Sequence, residues 1–264
     1  MKKILLLLLL CLGAMCAKAE KSDLVVSYDY VLPNFVGKLR HFPMVLLSNQ
    51  QMSKFYSPPT EYVDSITSTP QGVADYQQMQ QTVLAGGNWN SLPVRKETSY
   101  IFRSKKDDRI KVYDSIAADV WVYEEEFEPQ NWTIIPDSTK TILGYECLKA
   151  ECTYRGREWT AWFAPEIPVA DGPWLLCGLP GLILEAKEST GNYSFVADGI
   201  RQEAREIRPV YGKDKYQSTE RKKFLQLKKL YSQNPNAYLG NDTSGAPSPK
   251  YDKNYDLLER DYKN

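Results

Sequence analysis

The chain has 264 residues with 33 basic and 33 acidic side chains, so its formal net charge is zero. With 42% hydrophobic and 12% aromatic residues it can build a core, which excludes wholesale disorder. The charge balance argues against a general nucleic-acid binder, because phosphate binding needs a basic excess. The length fits one domain or two small ones.

In chain order, Lys2 and Lys3 precede an apolar run over residues 4–12 that is too short to span a bilayer as a helix. Ala17-Lys18-Ala19 follows, with small residues where a leader peptidase needs them. The pattern predicts a secretory signal peptide over residues 1–19, cut before Glu20. Cys16 follows Met15 and Cys11 follows Leu10, so neither has the small preceding residue that lipid attachment requires. The expectation is an exported protein, periplasmic or peripherally associated with the outer membrane.

Residues 24–32 are rich in Val, Tyr and Leu and predict a strand. Residues 34–43 read as a loop. One more strand fits within 44–56, starting at Val45, before Pro58-Pro59 breaks it. Val73, Tyr76, Met79 and Val83 recur at spacings of three and four, which predicts a short helix over 72–84 stopped by Gly86-Gly87-Asn88.

From Thr98 the period becomes two. Tyr100 and Phe102 oppose Ile101 and Arg103, Lys106-Asp107-Asp108 turns, and residues 109–116 and 120–127 are strand-like. Residues 132–135 lead into Pro136-Asp137. Residues 141–154 and 158–163 read as a hairpin closed at Arg155-Gly156, and 182–187 with 193–197 as another around Gly191-Asn192. Residues 219–232 change period again. Phe224, Leu227, Leu230 and Tyr231 form an apolar stripe, Ser218 or Thr219 can cap it, and Arg221, Lys222, Lys223, Lys228 and Lys229 make a basic face expected in solvent.

These elements predict an α+β fold, mostly antiparallel β, with a curved open sheet and one or two covering helices. The division expected is a leader (1–19), a single β-rich domain (20–239), and a linker with a C-terminal tail (240–264) holding Leu257 and Leu258.

Little in the sequence points to catalysis, metal or cofactor. His41 is the sole histidine, so zinc, non-haem iron and a serine triad are disfavoured and no cofactor is called for. Glu124, Glu125, Glu126 and Glu128 read as an acidic strand end facing solvent. Cys147, Cys152 and Cys177 follow the leader. In an oxidising compartment a Cys147–Cys177 bridge with Cys152 buried is the first expectation, and three buried thiols the alternative. Arg157 at a hairpin can receive an anion or pair with Glu158 or Glu146. Trp159 and Trp162 lie three apart, so one faces the core while the other faces solvent or a cavity.

One motif stands out: Gly178-Leu179-Pro180-Gly181-Leu182-Ile183. Pro180-Gly181 suits the centre of a type II turn, forming a corner into the apolar strand at Leu182. Gly178 suits close backbone approach or a left-handed residue. The motif, with Ile142-Leu143-Gly144-Tyr145-Glu146-Cys147, Gly156-Arg157, Trp162-Phe163, Pro165-Glu166-Ile167-Pro168 and Gly172-Pro173, resembles the core block of the GLPGLI family, exported proteins of one group of Gram-negative bacteria. The resemblance covers residues 132–188 and brings no established activity. It implies an accessory role beside outer-membrane transport systems, and the strand pattern is similar to half-barrel carriers of the bacterial envelope.

The functional expectation is therefore a non-catalytic envelope protein binding a peptide, a protein partner or an apolar ligand on the concave sheet, with Arg157, Trp159 and Trp162 as binding candidates. A carboxylate-dependent hydrolase and a pocketless scaffold are the alternatives.

Overall fold

A computed structural model of the chain describes residues 19–34, 36–240 and 256–263. The leader expected over 1–19 lies outside the described residues except for Ala19, and so does the linker over 240–250 except for Gly240.

Twelve strands form one curved, open sheet. The first wing is β1 (Leu24–Pro33), β2 (Leu39–Ser48), β3 (Met52–Tyr56), β4 (Tyr100–Ser104), β5 (Arg109–Ile116) and β6 (Asp119–Glu126). It meanders outward from β1, each strand antiparallel to the last. The chain then crosses to the far edge. There β7 (Thr133–Ile142), β8 (Tyr145–Tyr154), β9 (Arg157–Ala164), β10 (Leu182–Glu188) and β11 (Ser194–Gln202) meander back until β11 pairs with β1. A two-residue strand, β12 (Gln217–Ser218), adds in parallel to β6. Register shifts at Ser27/Tyr28, between Ile183 and Glu185, and between Ile135 and Thr139 bend the strands, as bulges do.

Alternation sets the two faces. Leu24, Val26, Tyr28 and Tyr30 of β1 point to the inner face, where they join Met44, Leu46, Phe55, Ile101, Ile110, Val112, Trp159, Phe163 and Phe195 in one core. A smaller outer cluster holds Val25, Val45, Leu47, Tyr56 and Tyr100 under Ile207 and Val210. The long connection from β9 to β10 folds back on the inner face and buries Trp174, Leu175, Leu176 and Leu179 there.

Helix α3 (Arg221–Gln233) covers part of that face through Phe224 and Leu225. Its N-cap is Glu220, without a side-chain capping bond, where Ser218 or Thr219 was expected. The strand β2 replaces the loop expected over 34–43, and it places His41 beside Asp29 of β1, with Nδ1–Oδ2 at 2.6 Å. Pro58-Pro59 does end β3, but it also opens a helix the sequence pattern did not suggest, α1 (Pro58–Ile66), with proline in the first turn. The helix expected over 72–84 is longer, α2 (Pro70–Gly86). Thr69 accepts from the Gly72 amide at its start, and Gly87, with φ +70°, stops it. This helix does not cover the sheet. Only Val83 is buried, while Val73, Met79 and Leu84 are 38%, 39% and 53% exposed. The strand over 141–154 is split by Leu143-Gly144, both at positive φ, into β7 and β8. Strand β7 runs through Pro136 because it is an edge strand, where a missing N–H costs no ladder bond.

The described part of the tail, residues 256–263, packs against the sheet domain. Leu257, Glu259 and Tyr262 are buried, and the Arg260 amide donates to the Arg155 carbonyl at 2.9 Å.

Candidate functional site: a cavity under helix α3

Between the inner face, α3 and the tail lies a cavity of about 250 Å³. Its walls are apolar. Tyr30 of β1, Ile101 of β4, Val112 of β5 and Phe195 of β11 form the floor. Trp174 of the β9–β10 connection, Phe224 and Leu225 of α3, and Leu257 and Leu258 of the tail form the sides. The rings fix one another: Tyr30 stacks on Phe195 at 4.4 Å, and Phe195 meets Trp159, which lies 5.7 Å from Trp174.

One end of the cavity is polar. Asp114, inward-facing on β5 and 4% exposed, accepts at Oδ1 from Thr98 Oγ1 (2.6 Å) and the Ser115 amide (2.7 Å). Its Oδ2 accepts from Lys228 Nζ at 2.6 Å. Glu97 lines the same end and is hydrogen-bonded by Ser99. Burial pushes the Glu97 carboxyl up from its ordinary value. Lys228 pulls it back and the Asp114 charge adds to the rise.

A second polar hollow, about 370 Å³, lies between α1 and the β5–β6 turn. Asp64, which lines it, is already bound by Arg95 Nε (2.6 Å) and the Tyr100 hydroxyl (2.6 Å).

The sequence-selected residues have other duties. Arg157 is not open to an external anion. Its side chain is fully enclosed, with Nη1 2.8 Å from Glu188 Oε2. Its Nε and Nη2 donate to the carbonyls of Leu258 and Leu257, each at 2.7 Å. The partner is Glu188 on β10, not Glu158 or Glu146, and the arginine clasps the tail. Glu188 also accepts from the amides of Thr190, Asn192 and Tyr193. Burial alone would raise its carboxyl. The hydrogen bonds from Thr190 and Tyr193 and the Arg157 charge outweigh that, and its pKa is lowered.

Trp159 is 1% exposed and is core, not a binding surface. Trp162, on the other side of β9 as the spacing implies, is half-buried with Lys140 Nζ 5.5 Å from its ring. Cys147, Cys152 and Cys177 are free and buried, so the Cys147–Cys177 bridge does not form. The Cys177 amide and thiol donate to Gln130, whereas Cys147 sits on β8 with its thiol toward the Tyr145 carbonyl. Burial pushes these thiols up to about 11, 12 and 12 in chain order.

The Gly178–Ile183 motif is a structural corner leading into β10, but not a type II turn. The Gly181 amide donates to the Leu179 carbonyl at 2.8 Å, a tighter reversal centred on Pro180. Gly178 has φ +89° and supplies the left-handed residue. At Gly181 a Cβ would lie 2.3 Å from the Ala164 carbonyl oxygen, so close approach is what demands glycine there.

The acidic run does not simply face solvent either. Arg155 Nη2 meets Glu125 at 2.7 Å, and Arg221 meets Glu125 (2.9 Å), Glu259 (2.6 Å) and Asp261 (2.7 Å). This cluster ties the β8–β9 turn, β6, α3 and the tail together, joining the two wings of the sheet. Burial raises the Glu125 and Glu259 carboxyls against the pull of both arginines. At Asp261 the hydrogen bond and charge of Arg221 outweigh burial and hold the carboxyl low.

Glu97, Asp114 and Lys228 were not singled out from sequence as a site. One signal was present: in 109–116 the inward positions are Ile110, Val112, Asp114 and Ile116, which puts a carboxylate in an apolar row.

The sequence model of a family described as "Protein of unknown function (Porph_ging)" matches residues 153–185, which include the corner motif. Searched against curated proteins, the chain has no match. Among solved structures it is similar to "Structure of PNGF-II in P21 space group", at 13% identity and a TM-score of 0.45. That match covers 77% of this chain and 31% of the other, so this chain spans about a third of that protein's length. "Structure of PNGF-II in C2 space group" is similar at 13% identity and a TM-score of 0.44, covering 75% and 30%.

Proposed function

We propose that this protein is a non-catalytic binding protein that holds a small, largely apolar ligand between its sheet and helix α3. The observation that carries the reading is the cavity: apolar walls from seven parts of the chain converge on one polar end built from Glu97, Asp114 and Lys228. Ligand pockets are typically apolar with a few placed polar groups, and this one lies just under the usual size range. Its size suits a small molecule better than a peptide, and Leu257 and Leu258 of the tail already line one side of it. The hydrolytic alternative has less support. Both oxygens of Asp114 are occupied by Thr98, Ser115 and Lys228, so among the described residues the second carboxylate at this end is not free to act as a base beside Glu97.

The leader-like residues 1–19 support action after export, at the periplasmic side or on the outer membrane. The family match over 153–185 falls within the residues that carry the GLPGLI resemblance, and it is that resemblance which implies an accessory role in the envelope.

Native mass spectrometry of the processed protein from its own envelope tests the reading. The expected result is an added mass that is lost on denaturation and absent from an Ile101→Trp variant, whose indole fills the cavity. A bare polypeptide mass, together with no uptake of small aromatic probes, overturns it.

A further inference from the structure

We infer that the cavity selects a ligand with an apolar body and a single cationic amine head, and that Glu97 is the group that meets the head. This rests on the binding reading above and adds the ligand's charge to it.

The argument is a charge count around a confined space. Five charged side chains line the cavity: Lys96, Glu97, Asp114, Lys228 and Glu259. Lys96 is exposed at the rim. Glu259 belongs to the wing-joining cluster, where Arg221 Nη1 holds it at 2.6 Å and Arg155 approaches to 3.8 Å. Lys228 gives its ammonium to Asp114, whose oxygens are otherwise taken by Thr98 and Ser115. Glu97 is left with the hydrogen bonds of Ser99 and with no ion-pair partner among the described residues. Among the described residues, two carboxylates therefore share one lysine at the end of an apolar chamber.

Taking a carboxylate out of water is costly: burial at the half-buried Glu97 pushes its carboxyl up, the Asp114 charge adds to the push, and the shared Lys228 offsets only part of it. An ammonium arriving at this end restores the balance and supplies several N–H donors. An anionic head meets two carboxylates. A neutral head leaves the imbalance as it was. The aromatic walls add to the preference, because Tyr30, Tyr123, Phe195 and Phe224 line the cavity and ring faces attract cations.

Three single-ring probes of matched shape separate the cases: phenethylamine, phenethyl alcohol and phenylacetate. Their affinities for the processed protein are measured by calorimetry at neutral pH. The expected order places phenethylamine about tenfold or more above the alcohol, with phenylacetate weakest, because a partly buried charge pair gains more than an exposed one. In Glu97→Gln the amine falls to the level of the alcohol while the alcohol is unchanged. Glu97→Asp, which keeps the charge, keeps the order and guards against a folding defect. If the alcohol or phenylacetate binds as well as the amine, or the preference survives Glu97→Gln, the charge assignment is wrong and the binding reading stands. If no probe binds the parent protein, both fall.

Discussion

Two of the polar clusters, one around Arg157 and one around Glu97, are built on opposite terms. Around Arg157 every group is committed: the guanidinium donates to Glu188, Leu257 and Leu258, and Glu188 also accepts three amides. Around Glu97 the described residues set two carboxylates against one lysine at the end of the cavity. A closed cluster sealed by the chain's own tail is a structural clasp. An unbalanced one beside a cavity is what the binding proposal rests on. The residue chosen from sequence as an anion receptor, Arg157, sits in the closed cluster.

The sharpest way to break this comparison is to break the clasp. Arg157→Ala leaves Glu188 charged and fully enclosed, and is expected to cost about 3–5 kcal/mol in denaturant unfolding, as lost partners of buried pairs do. A loss under about 1 kcal/mol, the scale of a surface pair, would show the clasp to be ornamental.

Gly181→Ala comes next. Its Cβ meets the Ala164 carbonyl at 2.3 Å, and backbone cannot swing aside, so a loss of about 1–3 kcal/mol is expected. Gly178→Ala should cost less, about 1–2 kcal/mol, because nothing lies within 4 Å of its Cβ and only the left-handed backbone objects. Unfolding curves of the two variants side by side check whether contact or conformation is the stronger demand at the corner.

The clasp also has a pH signature. The folded-state pKa of Glu188 lies below its ordinary value near 4.5, so its contribution is present in full above that value and drains away as pH falls through the folded pKa. The stability gap between the parent and Glu188→Gln should be widest near neutrality and narrow below about pH 4.5. A gap that is flat with pH would remove Glu188 from the account. The carboxyls raised by burial, Glu125 and Glu259, work the other way: stability linked to them is present below the ordinary value and lost as pH rises through the folded one.

The smallest effects are expected away from both clusters. Met79→Ser, on the open face of α2, should stay within about 0.5 kcal/mol. Cys147, Cys152 and Cys177 should stay silent toward an aromatic disulfide reagent at pH 8 until the protein is unfolded, since burial holds all three protonated.

The sequence carried the sheet better than the site. Strands such as 109–116 alternate cleanly, and turns such as Arg155-Gly156, at φ +51° and +73°, announce themselves by composition. The covering of the sheet was harder to read. Helix α2 shows an apolar spacing yet packs little, because spacing reports periodicity and not the presence of a partner surface. Arg221 and Lys228 read as a solvated basic face, but the acids that receive them stand on β5, β6 and the tail, separated in sequence by up to 114 residues. Arg157 and Glu188 are 31 residues apart and meet only because β9 and β10 pair. Long-range charge pairing is set by topology, which a single sequence does not display.

The most direct test of the central contrast is the denaturant stability of Glu97→Gln beside its parent. Replacing a carboxyl that burial has pushed up, and that no arginine holds, with a neutral amide of the same shape should leave stability unchanged or raise it. A loss as large as that of Glu188→Gln would place Glu97 in a structural network like the clasp and contradict the account.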